Sequence, residues 1–88
     1  MEQKAIVIKM LREQLESELS DIARESIKES FENGDVTGTT LSMNLFTYQE
    51  FAIKGYTKIQ HDLGLTSEEI KSIVNDCVSN ELRKHLQL

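Results

Sequence analysis

The residues able to do chemistry are few and scattered. Cys77 is the one cysteine, and His61 and His85 are the two histidines. A zinc site gathers about four nitrogen or sulfur ligands at short spacings, and one thiol with two distant imidazoles does not supply them. His61 and Asp62 are adjacent, so on a helix their side chains leave about 100° apart and do not form a hydrogen-bonded acid–base pair. Cys77 keeps company with Ile70, Ile73, Val74 and Val78, at a spacing that reads as a buried small hydrophobe rather than a nucleophile. Nucleophile motifs and glycine-rich phosphate loops are missing. A calcium loop begun at Asn33 has Asp35, Thr37 and Gly38 in register, but its eighth position is Thr40 and its twelfth Asn44, where an aliphatic residue and a glutamate are needed. The expectation is a protein that is not an enzyme, with no catalytic residue, no metal and no cofactor.

Such a chain acts by binding, and its composition bounds the partner. The 88 residues carry 15 acids against 10 Lys and Arg, a net charge of −5. Nine of the acids lie in residues 1–35. That field disfavours free nucleic acid and anionic membrane as general partners. No apolar run approaches the roughly 20 residues needed to span a bilayer. A lone thiol with no signal peptide fits the cytoplasm. One domain of this size buries only about two-thirds of the surface of its unfolded chain, so reinforcement by a homodimer is expected.

The elements that must position any binding surface are helical. Residues 3–32 contain no Gly or Pro and read as one long helix, stopped by Asn33-Gly34. Its apolar residues Val7, Leu11, Leu15, Leu19, Ala23, Ile27 and Phe31 recur every four positions, against about 3.6 per turn, so each step drifts by about 40°. Ile8, Leu11, Leu15, Leu19 and Ile22 share one face; Ile27 and Phe31 lie round another. Either the helix bends near 23–26, or one surface packs internally and the other meets a second chain. The first face, with Glu18 and Glu25 at its heptad core positions, is the expected partner and dimer contact. Those two glutamates speak against a long parallel coiled coil.

Residues 35–46 are rich in Thr, and Leu41, Met43 and Leu45 alternate with Ser42 and Asn44. This predicts a loop or a short strand within 38–46, with Ala5–Lys9 as the alternative partner strand of an α+β fold. Thr47-Tyr48-Gln49-Glu50 and Thr66-Ser67-Glu68-Glu69 both have the form of a capping box. Phe46 and Phe51 flank the first as a hydrophobic staple, Leu65 and Ile70 the second. Helices are therefore expected at 48–63 and 67–85, turning at Gly64. The predicted fold is all-α, a single domain over 1–88: helix 3–32, joint 35–46, helical hairpin 47–86.

Residues 56–75, YTKIQHDLGLTSEEIKSIVN, resemble the helix-turn-helix unit of DNA-binding regulators. Ile59, Leu63, Leu65, Ile70 and Ile73 stand at its apolar positions and Gly64 at its turn. The resemblance implies two helices crossing steeply, with Thr66, Ser67, Glu68, Lys71, Ser72 and Asn75 toward the major groove and Lys54 and Lys58 near phosphates. Gln60 departs from the usual small residue, and Glu68 and Glu69 open the reading helix. A ribbon-helix-helix arrangement with Leu41–Leu45 as its strand is a looser match. Gly55, inside a helix, costs about 1 kcal/mol relative to Ala, which close approach of another helix or chain would explain. The leading expectation is a small acidic regulatory or inhibitory protein-interaction module, with a DNA-binding regulator as the alternative.

Overall fold

The computed structural model describes residues 2–86, and within them every regular element is helical. α1 runs Glu2–Asn33, α2 Thr39–Lys58, α3 Gln60–Leu63 and α4 Ser67–Leu86. No helix among the described residues is long and apolar enough to cross a membrane. A 32-residue helix measures about 48 Å, and the molecule is 47 Å long and 21 × 18 Å across. α1 therefore sets its length.

Side-chain bonds give the pairing. Lys4 Nζ lies 2.7 Å from Glu69, and Arg12 Nη1 lies 2.8 Å from Asp76; the near-constant offset makes α1 and α4 parallel. Between α1 and α2 the order reverses: Tyr48 donates to Glu18, while Asn44 Nδ2 donates to Ser26 Oγ at 2.9 Å. α2 and α4 are also antiparallel, with Ser67 Oγ donating to Gln60 Oε1 at 2.7 Å at one end and Gly38 against Leu86 at the other. The chain is an up-down-up three-helix bundle whose second helix ends in the one-turn α3. Leu15, Leu19, Leu45, Ile70, Val74 and Val78 are sealed inside, each worth about 1.5–3 kcal/mol relative to exposure. The exposed ion pairs along the seams are worth at most about 1 kcal/mol each and act chiefly on register.

The four-residue drift along α1 resolves without a second core. Leu11, Leu15, Leu19 and Ala23 are buried, and the next core position is Ser26, not Ile27. Ser26 tolerates burial because its hydroxyl donates to Ile22 O at 2.7 Å and accepts from Asn44, which satisfies both of its capacities. By Phe31 the stripe has rotated off the core, and that ring is 84% exposed.

Several expectations about the joint and the second helix fail. Residues 39–46 are helical, not loop or strand, and Ala5–Lys9 belong to α1. Leu41 and Leu45, four apart, satisfy a helical period as well as an alternating one; with Ala52 they form the buried face of α2, while Met43 points out. The strand of a ribbon-helix-helix arrangement is thus a turn of helix. Thr47-Glu50 lies in mid-helix, where the backbone amides already have partners, so the true start, Thr39 rather than Tyr48, lies nine residues earlier. Phe46 and Phe51, read as a staple, are both exposed. The expected helix 48–63 divides at Ile59, whose backbone (φ −111°, ψ 22°) leaves the helical region before α3.

Candidate functional site

Both turns close with the same hydrogen bonds. After α1, the Gly34 amide donates to Phe31 O at 3.4 Å and the Asp35 amide to Ser30 O at 2.9 Å. After α3, the Gly64 amide donates to His61 O at 3.2 Å and the Leu65 amide to Gln60 O at 3.1 Å. This is the Schellman pattern, which needs a left-handed residue, and both glycines have φ 72°. The next helix at each turn is capped by side-chain oxygens. Asp35 accepts from the amides of Thr37 and Thr40, each at 2.9 Å, and these bonds hold its carboxyl well below the ordinary range. The expected box at Thr66 forms: the Glu69 amide donates to Thr66 Oγ1 at 3.1 Å and the Thr66 amide to Glu69 Oε1 at 2.9 Å. Lys4, then the Thr66 amide, hold the Glu69 carboxyl below its usual value.

The turns differ at the residue after the glycine. Leu65 folds back into the core beside Ile70. Asp35 cannot, and Val36 after it is 94% exposed. Val36 and Phe31 border one open groove of about 560 Å³, whose apolar wall includes Ile27, Leu41 and Leu86, with His85 at its edge. Among the described residues, the two most exposed large hydrophobic side chains thus stand together at one end of the bundle. Sequence reasoning separated Phe31 from the core by its drift but gave Val36 no role, because the turn that brings them together depends on how Asp35 caps α2.

The residues expected at a partner contact are placed elsewhere. Leu11, Leu15 and Leu19 are buried in the chain's own core and Ile22 packs at its edge, so that stripe is not a surface. Glu18 is half-buried and accepts the hydroxyl of Tyr48, whose ionisation is pushed up first by burial and then by Glu18. Glu25 is solvent-facing. Of the residues read toward DNA, Lys54, Lys58, Ser67 and Lys71 line a common groove of about 860 Å³ between α2 and α4. Glu68, Ser72 and Asn75 form the exposed outer row of α4. The antiparallel run of α2 and α4 departs from the steep crossing that a helix-turn-helix implies.

Cys77 is buried, and burial pushes its thiol up despite the Arg12 guanidinium 3.8 Å away. That is the opposite of an activated nucleophile. Among the described residues no three His, Cys, Asp or Glu are grouped to hold a metal ion. No protein-family model, curated protein or solved structure matches this chain.

Proposed function

We propose that this chain is a non-enzymatic binding protein of the cytoplasm that regulates or inhibits another protein by docking it at the Gly34–Gly38 end of the bundle. The observation that carries the reading is the pairing of Phe31 and Val36, 84% and 94% exposed, on one apolar groove. Small soluble proteins scatter such side chains singly; grouped ones mark interaction sites. The partner is a protein that presents an apolar anchor flanked by basic residues, since Asp35 lies on the groove and residues 1–35 hold nine of the 15 acids. Capture of a host-lysate partner by the immobilised protein, lost in the double variant Phe31→Asp, Val36→Asp at unchanged helicity, supports the reading. Equal capture by both forms overturns it.

One observation favours a second reading, DNA binding: Lys54, Lys58, Ser67 and Lys71 do share a groove. Binding through them would be steeply salt-dependent. Failure to retard any duplex at about 50 mM salt and micromolar protein removes this reading.

A further inference from the structure

Gly55 sits in the last turn of α2, and a Cβ built there meets no atom within 4 Å. No helix of this chain comes close enough to account for it. Beside it lies an open groove of about 260 Å³ lined by Tyr48, Phe51, Ala52, Gly55, Tyr56 and Ile59, with Glu18 also on it. Phe51, one turn before Gly55, stands out of the same face, 76% exposed. A cavity of about 150 Å³ already admits a benzene ring. The face therefore carries an exposed ring and an open groove side by side, the ring forming one wall of the groove and Gly55 its floor one turn on. That is the condition for a self-complementary, two-fold contact, in which each residue meets its counterpart reciprocally.

We propose that α2 is the interface of a homodimer in which Phe51 of each copy seats against Gly55 of the other. An antiparallel α2–α2 pairing that sets 51 opposite 55 also fixes its neighbours: 48 falls opposite 58. Phe51, Gly55 and Lys58 lie at i, i+4 and i+7 on one helix face, with Tyr48 beside them. The register demanded by the Phe51 ring thus brings each Lys58 ammonium to the other copy's Tyr48–Glu18 pair, where Glu18 lines the groove with a negative charge. Charge complementarity and shape complementarity select the same alignment. Glycine at 55 lets the two backbones approach where any side chain would hold them apart. The interface uses no residue of the groove at Phe31 and Val36, so it stands or falls separately from the docking reading.

The test is molar mass in solution by light scattering and sedimentation, across a micromolar series. The wild-type protein is expected at twice the 10.1 kDa chain mass. Phe51→Glu is expected to weaken self-association roughly thirtyfold or more, as loss of a central aromatic anchor does. Its helicity stays intact, because the ring is not part of the core. Lys58→Glu is expected to weaken the dimer, and the swap Glu18→Lys, Lys58→Glu to restore it in part. A wild-type monomer at high micromolar concentration overturns the proposal. So does a dimer that Phe51→Glu and Lys58→Glu both leave unchanged.

Discussion

The two ends of the bundle are turned by the same hydrogen-bond motif and finished differently. At Gly64 the residue after the glycine is Leu65, which is buried, and the next helix starts within two residues on its own Thr66–Glu69 box. At Gly34 it is Asp35, whose carboxylate reaches forward to the amide of Thr40 and leaves Val36 outside. Side-chain oxygens hold first-turn amides at both, Asp35 for α2 and Thr66 for α4. The exposed apolar side chains at the second end therefore do not mark an unfinished turn. They are surplus to folding, and that surplus favours a use in binding.

Substitutions at matching places should separate the two ends. The largest difference is expected after the glycines. Leu65→Ala should cost about 2–4 kcal/mol in urea unfolding, because it opens a cavity beside Ile70, whereas Val36→Ala should stay within about 0.5 kcal/mol. The glycines themselves should behave alike. Gly34→Ala and Gly64→Ala should each cost about 1–2 kcal/mol, since both hold a left-handed φ in open space. Gly38→Ala should cost more than either, because its Cβ would also stand 3.0 Å from Leu86 Cδ2.

A smaller effect concerns acid. The folded chain holds the Asp35 and Glu69 carboxyls below their ordinary values, so over the window below about pH 4 the unfolded chain binds more protons and stability rises with pH. Their contribution is complete above the unfolded value and is lost as pH falls through the folded one. Asp35→Asn should therefore flatten the fall of the urea midpoint between about pH 5 and pH 2, and Glu69→Gln, which keeps a box-forming side chain, should do so at the other turn. An unchanged slope in both would remove the charge from the account of these caps. The smallest effect on stability belongs to Phe31→Ser, again within about 0.5 kcal/mol.

How much could be read from the residues depends on the range of the interactions. The long helix, the last helix, the Gly64 turn and the Thr66 box rest on neighbours a few positions apart, and they stand where periodicity and capping chemistry put them. The start of α2 does not, because Leu41 and Leu45 fit a strand as well as a helix, and the cap lies at Asp35, outside the usual position. The same Thr-x-x-Glu spacing that starts α4 occurs at Thr47, in the middle of a helix where its signal is void. The partner surface was the hardest to place. Leu11, Leu15 and Leu19 form the most regular stripe in the chain, and only the tertiary pairing with α2 and α4 shows that they face inward. The drift that carries Phe31 off that stripe was visible, but Val36 beside it was not.

The central claim is that the Gly34 end of the bundle docks another protein and the Gly64 turn does not. A photo-crosslinking side chain placed at Val36, and in a second protein at the exposed His61 near Gly64, tests it in host extract. The account predicts an adduct of one defined mass with a host protein at Val36 and no host-protein adduct at His61. Adducts of equal yield at both positions, or none at Val36, would contradict it.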